Sequence, residues 1–241
     1  MKDDYRMKGK REQLLSELRS KGITDERILQ AFLQIPRHFF LDKAFGDWAY
    51  KDVAFPIDAD QTISQPYTVA VQTSLLEVKK GDKILEIGTG SGFQACVLAF
   101  LGAKVYTIER QESLYHKTSK LLQDIGFGHV RTLFGDGYQG APRFAPFDKI
   151  LVTAGATDIP VNLLEQLAPG GIMVIPVGDE YVQDMLQVFK KADGTVETKS
   201  HGEFRFVPFL PGTSNQDVKN TTKKSGNSNS DQNTGNKIML E

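Results

Sequence analysis

Three glycines at alternate positions stand between a short apolar run and a helical stretch. The run Lys83–Ile87 leads into Gly88, Gly90 and Gly92, and helical periodicity begins at Phe93. Glycines lack a Cβ atom and let a ligand approach the backbone closely. The first turn of the following helix offers unpaired N–H groups and the positive end of its dipole. The pattern therefore predicts a site for a nucleotide-type cofactor.

The spacing of these glycines separates two cofactor classes. The dinucleotide fingerprint is G-x-G-x-x-G, whereas the pattern here is E-x-G-x-G-x-G from Glu86, with Phe93 in the place of the third glycine. Glu109 stands 17 residues after Gly92, at the end of the next predicted strand. An acidic side chain there accepts hydrogen bonds from ribose hydroxyls in both NAD and S-adenosylmethionine sites. Phe93 is therefore the feature that favours S-adenosylmethionine.

A third carboxylate follows the third predicted strand. Asp136, between Gly135 and Gly137, is placed to accept a hydrogen bond from an adenine amino group. Open α/β sheets bind ligands at the carboxyl ends of their strands, and all these groups lie at such ends. Each glycine alone also occurs in tight turns, and each acidic residue alone at a solvated strand end or as a turn cap. The combination is what predicts a cofactor site.

The surrounding elements alternate between strand and helix, which predicts a parallel sheet covered on both faces. An Asp193-Gly194 turn between two short strands predicts an antiparallel hairpin at the sheet edge. We therefore expect an α/β, Rossmann-like fold, mainly parallel, with helices on both faces and an antiparallel C-terminal edge. The predicted strands are 83–87, 104–108, 130–134, 148–152, 171–177, 185–189, 196–198 and 204–209, and the predicted helices of this part are 93–101, 111–125 and 161–167.

The first 78 residues read as a helical extension that carries a long loop. Helices are predicted over 8–21 and from a cap at Thr24 or Asp25 to about Ile35, and Pro66 opens a third helix. In the loop between them, Trp48, Tyr50 and Phe55 either cover the cofactor or anchor the loop. We expect an extension over 1–78, a cofactor-binding core over 79–213 and a disordered polar tail over 214–241.

Composition narrows the class of protein. The chain has 241 residues, a formal net charge of −1 and one cysteine, Cys96. The charge gives no reason to expect nucleic acid or an anionic membrane as a partner. The single cysteine excludes an internal disulfide, and no His/Cys/Asp cluster has metal-ligand spacing, so we expect no metal. The charged N-terminus has no apolar segment behind it, so we expect no signal peptide and a cytoplasmic location.

Six segments together resemble one family, the protein-L-isoaspartate (D-aspartate) O-methyltransferases, from about residue 10 to about residue 212. The glycine turn is shared by many methyltransferases, and the segment around Ser64, just before the cofactor domain, is the discriminating one. The six segments are Pro36-Arg37-His38-Phe39-Phe40, Gln61-Thr62-Ile63-Ser64-Gln65-Pro66, 85–92, Gly135-Asp136-Gly137, Val152-Thr153-Ala154-Gly155-Ala156 and Phe206-Val207-Pro208.

The resemblance implies a repair enzyme that methylates the α-carboxylate of L-isoaspartyl and D-aspartyl residues in damaged proteins and peptides, with no nucleic acid or membrane partner. Its cofactor would be S-adenosylmethionine, with S-adenosylhomocysteine as product, and we expect a monomer. Ser64 would be the active-site residue. The resemblance implies cofactor contacts at Ile63, Ser64, Glu86, Gly88, Thr89, Gly90, Ser91, Gly92, Glu109, Arg110, Asp136 and Gly137, and substrate contacts at Ser64, Gln65, Pro66, Val207 and Pro208.

The implied chemistry explains why no catalytic dyad accompanies these motifs. An α-carboxylate has a pKa of about 3.5 and is already ionised at neutral pH, so it needs no general base. A neutral donor such as the Ser64 hydroxyl can hold one carboxylate oxygen while the other attacks. The alternative for Ser64 is helix capping, but Pro66 at the first helical position makes Gln65 the cap residue.

Three other interpretations stay open at this point. The same cofactor core serves methyltransferases of other substrates, and Thr62–Pro66 is the segment that discriminates against them. An NAD-dependent oxidoreductase would share Glu109 but is disfavoured by Phe93. A catalytically silent peptide-binding module would not need an intact set of acidic residues around the glycine turn.

Overall fold

The structure, a computed structural model, describes residues 3–214. The predicted disorder of 215–241 therefore lies outside the described residues. Ser214, which we placed in the tail, belongs to the packed chain. Its N–H donates to the carbonyl oxygen of Arg110 at 2.8 Å, and its own carbonyl oxygen accepts from the N–H of Glu112 at 3.2 Å. The packed chain therefore reaches at least one residue beyond the predicted boundary.

A seven-stranded sheet forms the centre of the protein. Its strand order is β5-β4-β3-β6-β7-β8-β9, with β3 to β7 parallel and β8 and β9 antiparallel to their neighbours. The predicted fold class, a mainly parallel sheet with an antiparallel C-terminal edge, is confirmed. The strands are β1 Phe55–Pro56, β2 Thr62–Ile63, β3 Lys83–Ile87, β4 Lys104–Glu109, β5 Arg131–Phe134, β6 Phe147–Val152, β7 Leu167–Gly178, β8 Gln183–Lys190 and β9 Val196–Phe204.

Helices cover both faces of this sheet. Contacts with the strands come from α3, α4 and α5 on one face and from α6 on the other, while α1 and α2 pack outside α3 and α4. The ring of Phe32 from α2 meets that of Phe93 from α4 with centroids 5.3 Å apart. The helices are α1 Tyr5–Ser20, α2 Glu26–Gln34, α3 Pro66–Leu76, α4 Phe93–Phe100, α5 Glu112–Asp124 and α6 Val161–Gln166.

The region before α3 is less irregular than its sequence predicts. It contains two 3-10 helices, Arg37–Phe40 and Lys43–Trp48, and a small hairpin of β1 and β2. The hairpin brings the segment just before Ser64 over the middle of the glycine turn, since the backbone oxygen of Thr62 would lie 3.9 Å from a Cβ atom built at Gly90. This placement turns the N-terminal region into one wall of the site described below.

The predicted strand at 204–209 is wrong. β9 ends at Phe204, and Pro208 forms only a single bridge with Gly155. The N–H of Phe206 donates to the side-chain Oε1 of Gln183 at 2.8 Å rather than to a neighbouring strand, and Pro208 has no N–H to donate. The backbone therefore leaves the ladder and crosses the carboxyl ends of the central strands.

Candidate active site

A cleft of about 770 Å³, counted to its open mouth, lies at the carboxyl ends of β3, β4 and β6. This is the end at which parallel α/β sheets bind ligands. We call this cleft the first cleft. Eleven of the residues predicted as site residues line it, and they are Ile63, Ser64, Gly88, Thr89, Gly90, Ser91, Glu109, Arg110, Gly137, Val207 and Pro208.

The glycine turn presents two different faces. Gly90 has a φ of +50° and lines the first cleft, and a Cβ built there would have no protein atom nearer than 3.9 Å. Gly92 caps α4 at a φ of +86°, but a Cβ there would meet Thr118 Cγ2 of α5 at 2.7 Å. Gly92 does not line the first cleft. Its lack of a side chain serves helix packing, whereas that of Gly90 leaves room for a ligand.

Glu109 ends β4 and holds the turn from the side. It is 4% exposed, and its two carboxylate oxygens accept from the N–H groups of Gly90 and Gln111, each at 2.8 Å. Burial raises the pKa of Glu109, while these backbone donors oppose the rise. Each carboxylate oxygen has a second lone pair, so acceptor capacity remains toward the cleft.

Glu86 lies behind the cleft lining rather than in it. The side chain is fully buried, and among residues 3–214 neither carboxyl oxygen has a hydrogen-bond partner. Burial raises the pKa of Glu86 to about 8, and the charge of Glu109 acts in the same direction. The hydroxyl of Thr107 opposes this rise, but it is engaged with that of Thr89 at 2.7 Å. Glu86 is thus an unsatisfied acceptor next to the turn.

Asp136 also stands just outside the lining. Its Oδ1 accepts from the N–H of Tyr138 at 2.9 Å and so caps a short 3-10 helix, Gly137–Gln139. Gly137 itself lines the first cleft, and a Cβ there would lie 2.5 Å from Ile87 Cγ2. The backbone that follows Asp136 therefore reaches the cleft. The Oδ2 atom of Asp136 takes no part in capping the 3-10 helix.

Ser64 stands where two clefts meet. The second cleft, about 1360 Å³ including its open mouth, is lined by the start of α3 and by 201–207. Four residues border both clefts, and they are Thr62, Ser64, Thr153 and Val207. A side chain in this position can contact ligands on both sides at once.

The hydroxyl of Ser64 is not used by the fold. Among the residues that the structure describes, it has no hydrogen-bond partner. Gln65 is the cap residue of α3, as predicted, yet makes no capping hydrogen bond through its side chain. The N–H of Tyr67 donates instead to Asp52 Oδ1 at 2.7 Å. Helix capping, the alternative for Ser64, is therefore excluded by the geometry.

The remaining predicted substrate residues divide between the two clefts. Gln65 lines the second cleft, but its Nε2 is held by Asp52 Oδ2 at 3.0 Å. Pro66 is buried and lines neither cleft. Val207 borders both clefts and Pro208 the first, and their segment is fixed by a bond from the N–H of Gly155 to the carbonyl oxygen of Val207 at 2.8 Å.

Several lining residues escaped the prediction. Thr153 borders both clefts, and its hydroxyl donates to the carbonyl oxygens of Ile87 and Gly88, each 2.9 Å away. Gln94 lines the first cleft, and its buried Oε1 has no hydrogen-bond partner within residues 3–214. The Val152–Ala156 segment is one of the six that carry the family resemblance, but no local sequence pattern marks Thr153 as a site residue. The other unpredicted residues of the first cleft are Gln61, Thr62, Val69, Ile87, Phe93, Ile108, Ala154, Phe209 and Leu210.

The aromatic residues of the N-terminal loop anchor it. None of Trp48, Tyr50 and Phe55 lines either cleft. The hydroxyl of Tyr50 meets His38 Nδ1 at 2.7 Å, and the rings of Trp48 and Phe55 pack with centroids 5.6 Å apart. Cys96 is buried in α4, and burial raises the pKa of its thiol far above its usual range. It is a core residue.

The strand, glycine turn and helix, with an acidic residue at the tip of the next strand, form a Rossmann-like cofactor site. Phe93, which lines the cleft in the place of the third dinucleotide glycine, favours the class of S-adenosylmethionine-dependent methyltransferases over that of NAD enzymes. Gln94 lines the first cleft with an unsatisfied Oε1, and this acceptor fits a cofactor that carries an ammonium and a sulfonium group. The chain belongs to the protein-L-isoaspartate(D-aspartate) O-methyltransferase family, whose family model matches residues 9–215.

Relatives of known name agree with this assignment. The protein-L-isoaspartate O-methyltransferase of Christiangramia forsetii is 57% identical over 210 residues, which cover 87% of this chain and 98% of the relative. That of Cytophaga hutchinsonii is 53% identical over 210 residues, covering 87% of this chain and 95% of the relative. The match therefore spans almost the whole of each relative.

Solved structures show the same architecture. A protein-L-isoaspartate O-methyltransferase structure, 29% identical in sequence, superimposes with a TM-score of 0.76 over 88% of this chain and 69% of its own. A Plasmodium falciparum structure titled as a protein-L-isoaspartate O-methyltransferase in complex with S-adenosyl-L-homocysteine reaches a TM-score of 0.72 at 24% identity, over 82% of this chain and 97% of its own. The second likeness supports the fold alone.

Proposed function

We propose that this protein transfers a methyl group from S-adenosylmethionine to the α-carboxylate of L-isoaspartyl, and D-aspartyl, residues in damaged proteins and peptides. The observation that carries the proposal is the free hydroxyl of Ser64 at the junction of two clefts. The first cleft has the lining expected for the cofactor. The second is open and lies against the same four residues, so it can receive an extended peptide.

The residues at the junction suit this substrate. The cofactor supplies a methyl group on a positively charged sulfur. The isoaspartyl α-carboxylate is ionised at neutral pH and attacks without a base. Ser64 Oγ is placed to donate a hydrogen bond to one carboxylate oxygen, which fixes the direction of the other. Gly90, Glu109 and the backbone at Gly137, which line the first cleft, would hold the cofactor.

The product ester needs no further help from the protein. Attack of the next backbone nitrogen on the ester carbonyl expels methanol and closes a succinimide, which hydrolysis can open to normal aspartate. Neither step requires a group from the enzyme. The proposed role of the enzyme therefore ends with methyl transfer.

We also propose that the protein acts in the cytoplasm as a monomer, without nucleic acid or membrane partners. The formal net charge is −1, and no helix within residues 3–214 has the length and apolar character to cross a bilayer. Its most exposed large apolar side chains are Tyr5 in α1, Val161 in α6 and Tyr181 in the turn between β7 and β8. Light scattering after size exclusion tests the monomer, and a dimer mass would overturn it.

The experiment compares an isoaspartyl peptide with its normal aspartyl twin in the presence of labelled S-adenosylmethionine. We expect methylation of the isoaspartyl peptide alone. Ser64→Ala removes the hydrogen bond that fixes the direction of the attacking oxygen, and a misplacement of about 1 Å can cost about 100-fold in rate, so kcat should fall about 10- to 100-fold. Cofactor affinity should change little. Ser74→Ala, on the exposed side of the same helix, is the matched control.

Two results would contradict the proposal. Equal methylation of both peptides, or none of either, would remove the substrate assignment. A Ser64→Ala variant with normal kcat and weak cofactor binding would remove the role given to the hydroxyl and leave the substrate assignment standing.

A further inference from the structure

Arg37 places a buried charge directly behind the segment that carries Ser64. It is 2% exposed, and its Nη2 donates to the carbonyl oxygen of Ser64 at 2.7 Å. Its guanidinium carbon lies 4.8 Å from the centre of the Phe93 ring. Within residues 3–214, its Nε and Nη1 have no hydrogen-bond partner. Burial lowers the pKa of Arg37 to about 9.

A buried guanidinium at this position does not stabilise the fold by packing alone. Water would satisfy all five N–H donors of a guanidinium, so burying it with one hydrogen bond costs free energy. A methionine would pack against Phe93 without that cost, and apolar replacements of buried charges are often neutral or stabilising. The contact that methionine would not supply is the bond to the Ser64 carbonyl.

Asp52 holds the other side of the same segment. Its side chain is 2% exposed. Its Oδ1 accepts from the N–H of Tyr67 at 2.7 Å, and its Oδ2 accepts from Gln65 Nε2 at 3.0 Å and pairs with Lys21. Asp52 thus satisfies an N-terminal N–H of α3 from a distant loop. Its charge also acts on Arg37, where it opposes the effect of burial on the pKa.

We propose that Arg37 and Asp52 are positioning residues for methyl transfer, an inference that rests on the proposed function. Arg37 fixes the carbonyl of Ser64, Asp52 fixes Gln65 and the N–H of Tyr67, and the hydroxyl between them stays free toward the clefts. Neither Arg37 nor Asp52 lines a cleft. They act through the place of Ser64 Oγ, where an error of about 1 Å can cost about 100-fold in rate.

The test is a double-mutant cycle with Ser64→Ala, which keeps the carbonyl that Arg37 holds. In the parent protein, we expect Arg37→Met to lower kcat for an isoaspartyl peptide about 10- to 100-fold. Asp52→Asn keeps one acceptor and should lower kcat about 3- to 10-fold, with KM for S-adenosylmethionine within about twofold in both variants. In the Ser64→Ala background each should change kcat by less than about twofold, because the hydroxyl they position is absent.

Arg11→Met is the matched control. Arg11 is also a buried arginine, 4% exposed, and donates to a backbone carbonyl, that of Leu33, but it lines neither cleft. Its effect on kcat should be the same factor in both backgrounds and should follow its loss of thermal stability. The control measures what a purely structural buried arginine does to this enzyme.

An equal factor for Arg37→Met in both backgrounds would overturn the positioning role and leave the proposed function intact. Failure of the proposed function would appear differently, as loss of the isoaspartyl preference in the parent protein. If Arg37→Met does not fold, Arg37→Lys and Asp52→Asn carry the same comparison. Arg37→Lys keeps the charge and a donor, so partial retention of kcat supports the inference, and additivity with Ser64→Ala refutes it.

Discussion

Gly90→Ala should weaken cofactor binding more than it weakens the fold. At a φ of +50°, an alanine pays about 1–2 kcal/mol for the left-handed conformation. Its methyl group would have only Ile57 Cδ1 and Thr62 O within 4 Å, both at 3.9 Å, so the protein itself has room for it. The same room is the space that a ligand in the first cleft uses. Overpacking by one methyl group costs about 1–3 kcal/mol, or about 5- to 150-fold in the Kd of S-adenosylhomocysteine.

Gly92→Ala should do the reverse. The conformational cost at a φ of +86° is similar, but the added Cβ would lie 2.7 Å from Thr118 Cγ2 and 3.2 Å from Leu122 Cδ2. The two effects together lower the free energy of unfolding by about 2–5 kcal/mol. For a chain of this length, each kcal/mol corresponds to about 2–4 °C in Tm. The Kd should change less than about threefold, because this face of the turn packs on α5.

The assay measures both quantities on both variants. Titration calorimetry with S-adenosylhomocysteine gives the Kd, and urea unfolding without ligand gives the free energy of unfolding. The quantity to compare between the variants is the ratio of the loss of binding free energy to the loss of unfolding free energy. If Gly92→Ala loses as much affinity as Gly90→Ala, or if their stability losses are equal, the assignment of the two faces is refuted.

Two further variants test the electrostatics around the cleft. Burial holds the pKa of Glu86 at about 8 against an ordinary 4.5, so the folded protein keeps a proton that the unfolded chain releases. The contribution of Glu86 to stability therefore declines as pH rises from about 4.5 to about 8, and Glu86→Gln should flatten the Tm profile in that window; an unchanged slope would contradict it. Lys117 of α5 pairs with Asp58 at 2.6 Å and Asp42 at 3.7 Å, joining α5 to the loop over the turn. Lys117→Ala should cost less than about 1 kcal/mol in stability yet speed the release of S-adenosylhomocysteine in stopped-flow measurements, with the difference fading at high salt; equal release rates at low salt would exclude such a link.

Local sequence patterns were sufficient for most of the fold. Periodicity placed the strand at 83–87 and the helix from Phe93, and Pro66 marked the start of α3, because each signal lies within the element it forms. The segment after Phe204 alternates apolar residues as a strand does, but its hydrogen bonds go to Gln183 and Gly155. The conformation of such a segment depends on hydrogen-bond partners that are distant in sequence, and a local pattern does not identify those partners.

The sequence predicts which motifs form the site, but it does not predict which side of the glycine turn each residue lies on. Glycine spacing located the turn, but only packing distinguishes Gly90, which lines the cleft, from Gly92, which contacts α5. The sequence also placed Glu86 correctly at the end of β3, whereas its position behind the lining depends on the direction of its side chain. Arg37 reaches a carbonyl 27 residues away, and no spacing rule predicts that bond.

The boundary between the two clefts explains why the charged groups stand where they do. Thr62, Ser64, Thr153 and Val207, which border both clefts, carry no formal charge. Transfer of a methyl group from a sulfonium to a carboxylate cancels two opposite charges, so a fixed charge at this boundary would stabilise the reactants more than the transition state. Arg37 and Asp52 are instead buried behind Ser64, where Arg37 holds its carbonyl oxygen and Asp52 holds Gln65 and the N–H of Tyr67, and neither lies at the boundary. A reaction that needs no base then depends on placement, and the residues that place Ser64 should matter nearly as much to its rate as the hydroxyl itself.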